Sequence, residues 1–217
     1  MSPQIIEALL LSLWQTVQMV AVSAAIAALL GIPLGVLLLT TDKGHILENL
    51  SLNRILGAIV NATRSVPFII LMVAIIPLTR LLVGTSIGTV AAIVPLTLAA
   101  IPFVGRLMEG ALREVDYGLI EAAQSMGASP WEIIRKVLLP EALPAVVSGL
   151  TITVVSLIGF SAMAGVIGGG GLGDLAIRFG YQRFRPDVMA ATVVILIIMV
   201  QAVQIFGDSL SRKVNKK

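Results

Sequence analysis

Residues 8–41 read ALLLSLWQTVQMVAVSAAIAALLGIPLGVLLLTT and contain no charged side chain. A helix needs only about 20 apolar residues to cross the hydrocarbon core of a bilayer, so this stretch predicts a membrane span that is retained rather than cleaved as a signal peptide. Of the 217 residues, 57% are hydrophobic and 12% are charged, whereas soluble domains carry roughly 25% charged residues. The composition therefore predicts an all-α polytopic membrane protein.

Uncharged stretches further along the chain predict five transmembrane helices in a single transmembrane domain, residues 1–217. Arg64 interrupts the second stretch, and an arginine at mid-bilayer costs about 2.5–3.5 kcal/mol on insertion scales, so that span is expected to begin near Ser65. In the first stretch, Gly31 and Gly35 form a small-residue patch that a neighbouring helix can approach closely. The predicted spans are Val17–Leu39, Ser65–Thr79, Leu81–Gly105, Leu143–Ile167 and Val188–Gly207.

Five spans place the termini on opposite sides of the membrane, and the positions of Lys and Arg predict the orientation. Four of these residues fall on one side: Arg80, Arg178, Arg183 and Arg185. Eleven fall on the other: Lys43, Arg54, Arg64, Arg106, Arg113, Arg135, Lys136, Arg212, Lys213, Lys216 and Lys217. The side with more basic residues is expected to be cytoplasmic. This places the polar stretch at about 106–141 and the C-terminus in the cytoplasm and the N-terminus outside.

The polar stretch predicts a helix, a sharp turn and a second helix. Asp116 is a plausible N-cap for a helix to about Met126, and Gly127 suits the left-handed position that ends it. Ser129 and Glu132 form a capping box that restarts a helix. One apolar face of the first helix is predicted to consist of Leu119, Ala122, Ala123 and Met126. The shape leaves two interpretations open, a hairpin lying on the membrane or a docking helix for a partner.

Glu121-Ala122-Ala123, then Gly127, then Val137-Leu138-Leu139-Pro140, resemble the EAA loop of ABC importer permeases in order and spacing. That family has isoleucine where this chain has Val137. The segment Arg64–Phe68 is similar to one in amino-acid importer permeases. Two further segments resemble the permeases of methionine importers, so that the resemblance covers nearly the whole chain: Ala164–Asp174 and Tyr181–Phe184.

The resemblance implies a subunit of an ATP-driven importer in the bacterial inner membrane, carrying methionine through a permease homodimer surrounded by lipid. In that family the short helix is a coupling helix that docks into a cytoplasmic ATP-binding cassette subunit. The resemblance assigns this contact to Glu121, Ala122, Ala123 and Gly127. It also implies an extracytoplasmic substrate-binding protein as a partner.

The sequence indicates neither an enzyme nor a cofactor site. It contains no Gly-x4-Gly-Lys-Ser/Thr, so ATP hydrolysis is expected in a partner subunit. It has no cysteine and one histidine, His45, so a thiolate or histidine metal site is not expected. The net charge of +3 reflects the membrane loops and predicts no nucleic-acid partner.

Other residues keep two interpretations each. Phe160, Ser161 and Met163 either line a solute path or pack the fourth span against its neighbours. Gly168–Gly173 is either a flexible outer turn or backbone that moves when a binding protein docks. Arg64 is an interfacial anchor, or it reaches the coupling helix or a substrate carboxylate. Arg178, Arg183 and Arg185 belong to a solvated outer loop or contact the binding protein.

Two other functional classes compete with the importer. An ion-coupled secondary carrier usually keeps an acidic residue within the membrane, and the five predicted spans contain no Asp or Glu. A membrane scaffold or uncoupled channel would need no ATPase partner.

Overall fold

The computed structural model describes residues 3–215, and Lys216 and Lys217 of the basic tail lie outside them. Within residues 3–215 the backbone forms ten α-helices and two π-helical segments. The helices are α1 (Pro3–Thr40), α2 (Leu50–Ser65), α3 (Phe68–Ala74), α4 (Ile76–Val83), α5 (Thr89–Arg113), α6 (Tyr117–Ser125), α7 (Pro130–Ile133), α8 (Leu139–Val166), α9 (Gly171–Leu175) and α10 (Pro186–Val214). The π-helical segments are Ile134–Leu138, between α7 and α8, and Ala176–Tyr181, after α9.

The centre of the fold is the pair α1 and α5, and α8 packs against both of them. Gly31 and Gly35 of α1 are buried against Val104 and Met108 of α5, which confirms the close helix approach predicted from the small-residue patch. On its other side α8 packs against α10, where Gly207 abuts Thr151. The outward faces of α1 and α10 remain apolar and exposed, as lipid-facing surfaces are.

By length and composition, the described residues contain four helices that can cross a membrane: α1, α5, α10 and the continuous helix Pro130–Val166. The number rises to five if α2 and α3, which meet at an angle of 102°, together form one span. The all-helical membrane fold is confirmed, and the number of spans is four or five.

A new helix begins close to Ser65, as predicted for the second span. α2 ends at Ser65 and α3 begins at Phe68, because Pro67 has no N–H to donate and forces Val66 into an extended conformation. A second break at Ile75 separates α3 from α4. The predicted start near Ser65 is therefore confirmed, but the stretch Ser65–Thr79 is not one helix, since it contains α3 and the first part of α4.

The helices run past the charged residues that bound the predicted spans. α5 continues past Arg106 to Arg113, α1 begins at Pro3 and α10 continues to Val214. The predicted start of the third span at Leu81 is wrong, because α4 continues to Val83 and the left-handed Gly84 and Gly88 separate it from α5, which begins at Thr89. Hydropathy marks only the apolar middle of a helix, since a charged residue leaves the membrane core without ending the helix. The outer stretch 174–187, predicted as a polar loop, is largely helical because it contains the end of α9 and the second π-helical segment.

Candidate functional site

The polar stretch between α5 and α8 folds as its capping residues predict. The Asp116 side chain accepts a hydrogen bond of 2.8 Å from the Gly118 N–H at the start of α6. At the other end, Gly127 has a φ of +79°. Its N–H donates to the Gln124 carbonyl at 2.9 Å, and the next N–H, of Ala128, donates to the Ala123 carbonyl at 3.0 Å. This pair of bonds is a Schellman motif, which satisfies the last carbonyls of α6 and turns the chain sharply.

The second helix of the stretch begins at a complete capping box. The Ser129 N–H donates to Glu132 Oε2 at 3.1 Å, and the Glu132 N–H donates to Ser129 Oγ at 3.4 Å. Lys136 Nζ reaches Glu132 Oε1 at 3.0 Å. The helix then widens into the π-helical segment just before Pro140, which cannot donate a backbone hydrogen bond to the preceding turn. The helix–glycine–helix shape predicted from sequence is therefore confirmed.

The side chains of α6 lie on two surfaces, one buried and one exposed. Ile120 and Ala123 are buried, and they pack on the core that includes Ile133 and Leu138. The predicted apolar face of four residues is therefore wrong in two respects: Ala123 turns inward, and Ile120 was missing from it. Helical geometry gives the reason, since residues three apart share a side of the helix.

The opposite side of α6 is open. Glu121, Ala122 and Gly127 are exposed. Three large apolar residues are exposed beside them, Leu119, Met126 and Trp131, with Met126 82% exposed. Trp131 was not predicted as part of this surface, although its place beside a capping box would have put it at an exposed helix start. We call the exposed residues Leu119, Glu121, Ala122, Met126, Gly127 and Trp131 the docking surface.

A cleft of about 460 Å³ lies where α5 ends and α8 begins. Its walls include the carboxylates of Glu114, Asp116 and Glu141. Among residues 3–215, no group of three or more His, Asp or Glu side chains is placed to hold a metal ion.

The three residues predicted to line a solute path do not share one face. Phe160 stacks on Phe68 of α3, with ring centroids 4.7 Å apart and planes 11° from parallel. Met163 is exposed and follows Phe160 by three residues, so the two lie on one side of α8. Ser161 is buried, and its hydroxyl donates to the Ile158 carbonyl of its own helix at 2.7 Å. The burial of Ser161 fits the packing interpretation, and its place in a solute path stays a prediction.

The glycine segment after α8 is packed tightly against other helices. The Gly171 N–H donates to Gln15 Oε1 and the Leu172 N–H donates to Thr16 Oγ1, both at 2.9 Å, which ties α9 to α1. Gly165 of α8 and Gly173 of α9 lie so close that a side chain on either would meet backbone. A flexible turn is one of the two interpretations of this segment from the sequence. The tight packing could not be predicted, because a run of glycines carries no signal for it.

The four arginines with two interpretations differ in the contacts that they make. Arg178 pairs with Asp174 at 2.7 Å, Arg185 pairs with Asp187 at 2.8 Å, and Arg183 lies 4.5 Å above the ring of Phe179. Arg64 is exposed in the last turn of α2. Neither the binding-protein contact nor a role for Arg64 is tested by these positions, and both stay predictions.

The sequence matches the family described as binding-protein-dependent transport system inner membrane component over residues 29–217. A relative from Vibrio cholerae, named probable D-methionine transport system permease protein MetI, is 63% identical over 209 residues, which are 96% of this chain and 93% of that protein. The methionine import system permease protein MetP of Bacillus subtilis is 47% identical over 83% of this chain and 82% of its own length.

Solved structures share the same fold. A chain of the inward-facing MetNI methionine ABC transporter superposes with a TM-score of 0.98 at 49% identity, over the full length of both chains. An amino acid ABC transporter at 19% identity superposes with a TM-score of 0.77, over 97% of this chain and 94% of that one, which speaks for the fold alone.

Proposed function

Since this chain belongs to the family of binding-protein-dependent transport system inner membrane components, we propose that it is the membrane-spanning subunit of an ABC importer for methionine. The names of its relatives and of the solved transporter support methionine as the solute. The protein is a multi-pass component of the inner membrane. A transporter of this family receives its solute from a separate binding protein, which an ion-coupled carrier would not need.

The observation that carries the proposal is the docking surface on α6 and its flanking turn. Its residues are exposed apolar and small side chains on a helix that is capped at both ends. A rigid helix with an uncovered apolar face is a recurrent element of protein recognition. We assign the ATPase contact to Glu121, Ala122 and Gly127, and we assign Ala123, which is buried, to holding α6 on its own chain.

The energy source lies in a partner in this proposal. The chain carries no P-loop, so a cytoplasmic ATP-binding cassette subunit binds and hydrolyses ATP. Two copies of the chain enclose the solute path, and Phe160 and Met163 are the residues of α8 assigned to it. An extracytoplasmic binding protein delivers methionine to the side that carries Arg178 and Arg183.

Docking on α6 is tested with one bulky substitution and a matched control. Ala122→Trp places an indole in the middle of the docking surface, whereas Gln124→Trp places it on an exposed position of α6 outside that surface. We expect Ala122→Trp to abolish copurification of the ATPase subunit and uptake, and Gln124→Trp to preserve both. Equal association of the two variants with the ATPase would refute the contact.

The orientation is tested by thiol labelling, which is simple because the sequence contains no cysteine. Lys43→Cys and Arg183→Cys are each treated with a membrane-impermeant thiol reagent in right-side-out vesicles. We expect labelling of Arg183→Cys alone. Labelling of Lys43→Cys under the same conditions would reverse the proposed topology.

The solute is tested in proteoliposomes that contain the permease, the ATPase subunit and the binding protein. We expect ATP-dependent uptake of radiolabelled methionine, competed by unlabelled methionine and not by other amino acids, and unaffected by a protonophore. Uptake that collapses with the protonophore while ATP is held constant would support the ion-coupled carrier instead.

A further inference from the structure

The loop between α1 and α2, residues 41–49, touches the start of α6, and the proposed function gives this contact a role. We propose that the α1–α2 loop is a second coupling element, which follows α6 and passes its movement to α1 and α2. Tyr117 and Asp42 are its positioning residues. This inference rests on the proposed docking of an ATPase on α6.

The first tie joins the loop to the N-terminus of α6. Tyr117 is the first residue of α6, and its hydroxyl donates to the Gly44 carbonyl at 3.1 Å, across 73 positions of sequence. The ring of His45 meets the Tyr117 ring edge-on, with centroids 6.3 Å apart. Burial lowers the pKa of His45, so this ring is neutral at physiological pH. A neutral ring packs against the tyrosine without a charge to solvate.

The second tie joins the loop to α5 through ion pairs. Asp42 pairs with Arg113 at 2.6 Å, and Arg113 also pairs with Glu109 at 2.8 Å. Glu109 is only 5% exposed and is paired with Arg106 as well. The hydrogen bond from Arg113 lowers the pKa of Asp42, so the pair is charged at neutral pH. A network of several charges around a buried carboxylate is held more firmly than an isolated surface pair.

The loop is also fastened to both helices that it connects. The Leu47 N–H donates to the Thr40 carbonyl at 3.0 Å, and the Asn49 N–H donates to the Thr41 carbonyl at 2.9 Å. Asn53 of α2 donates to the Leu38 carbonyl of α1 at 2.6 Å. These bonds connect a displacement of the loop to the ends of α1 and α2.

The network reaches α2 by a further bond near the broken span. Arg106 of α5 donates to Asn61 Oδ1 at 2.9 Å, one turn before α2 ends at Ser65. Beyond that end, α3 carries Phe68, which stacks on Phe160 of α8. These contacts therefore connect α6, through the loop and α2, to the helices beside the proposed solute path. This connection is separate from the covalent one, in which α7 continues along the chain into α8.

The hydroxyl of Tyr117 is tested by Tyr117→Phe, and Tyr181→Phe is the matched control. The sequence has only these two tyrosines, and Tyr181 is exposed at the other end of the fold. Wild type and variants are reconstituted with the ATPase subunit and binding protein. We expect Tyr117→Phe to retain the ATPase and to hydrolyse ATP, but to move about fivefold less methionine per ATP, the low end for a coupling between two sites.

The ratio of methionine moved to ATP hydrolysed separates this inference from the proposed function. A merely structural role for Tyr117 would lower uptake and hydrolysis together, through loss of protein, and would leave the ratio unchanged. An unchanged ratio in Tyr117→Phe, in a wild type that couples normally, overturns the inference alone. A wild type that retains no ATPase overturns the proposed function.

A cross-link provides a rescue test, again because the chain has no cysteine of its own. Tyr117→Cys with His45→Cys removes the hydroxyl and allows a short bis-maleimide, which alkylates both thiols, to join the loop to α6. We expect the unlinked double variant to couple poorly and the linked one to regain transport per ATP. The single variants treated with the same reagent should not recover. A linked protein that remains uncoupled would mean that the loop does not follow α6.

Discussion

α8 is preceded by a left-handed glycine, a short helix and a π-helical segment, and it is followed by left-handed glycines, a short helix and a π-helical segment. Two glycines, one on each side of α8, differ in their surroundings. An added side-chain atom at Gly127, which is left-handed, would meet nothing within 4 Å. One at Gly173, which lies within α9 and is not left-handed, would meet the Ala162 backbone. The first glycine permits a turn and keeps a surface open, and the second permits two backbones to touch. Similar local elements thus form an exposed docking helix, α6, before α8 and a tightly packed helix, α9, after it.

The largest expected loss of stability comes from adding one methyl group at Gly173. Gly173→Ala forces α9 away from α8, and we expect a loss of about 3 kcal/mol or more, as for overpacked cores. The measurement is the midpoint of thermal unfolding in detergent, together with the yield of monodisperse protein. Gly159→Ala in α8, where the added methyl meets open space, should behave as wild type. A stable Gly173→Ala variant would show that α9 is not fixed to α8.

The next largest effect should come from the hydrogen bonds that hold α9 on α1. Thr16→Val keeps the shape of a buried side chain and removes the acceptor for the Leu172 N–H. A buried N–H left without a partner costs about 2 kcal/mol. Thr192→Val is the control, since that buried hydroxyl donates to the Val188 carbonyl within its own helix. Equal unfolding midpoints for the two variants would mean that water satisfies Leu172.

At the α6 end we expect a smaller loss of stability. Gly127→Ala meets no steric clash, and a left-handed alanine costs roughly 1–2 kcal/mol. The protein should fold and should unfold a few degrees earlier than wild type. Gly110→Ala, in open space within α5, is the control without a left-handed backbone. Failure of Gly127→Ala to fold would remove the contrast between the two ends.

The smallest effect is a pH dependence that comes from His45, in the loop that contacts the start of α6. His45 is the single histidine, and its folded pKa lies below the ordinary 6.5 because of burial. The unfolded chain therefore binds the proton more readily, so stability is complete above pH 6.5 and declines as the pH falls towards the folded pKa. Between pH 7.5 and 5.5 we expect His45→Gln to lose less stability than wild type, by under about 1.4 kcal/mol, the equivalent of one pKa unit. Identical pH profiles would contradict this assignment.

The α6 end could be predicted from the sequence because its structure is set locally. Asp116, Gly127 and the Ser129–Glu132 box each act within four residues, so their types and spacing suffice. The side of α6 that turns inward could not be predicted, because Ala122 and Ala123 are chemically alike and only the position of the core distinguishes them. The assignment of particular α6 residues to the ATPase contact therefore depended on the family resemblance, and only the structure shows that Ala123 is buried.

The α9 end could not be predicted because its structure is set by distant residues. Gly171 and Leu172 are bound by Gln15 and Thr16, at the other end of the chain. α9 has only five residues, which are too few for a hydrophobic period to predict a helix. The same holds for Glu109, whose burial depends on Arg106 and Arg113 together with the approach of α1. Arg64 indicated a new start near Ser65, but only the structure gives the angle of 102° between α2 and α3.

The π-helical segments have a consequence for how this chain can change over evolution. In each, an N–H bonds to the carbonyl five residues back, as Leu139 does to Ile134 and Gln182 does to Ile177. A π turn therefore holds one residue more than an α turn. Single insertions and deletions among related sequences should gather at 134–138 and 176–181, where a turn can change type. Within α8 one residue gained or lost would rotate the remainder by about 100° and carry Gly165 away from Gly173.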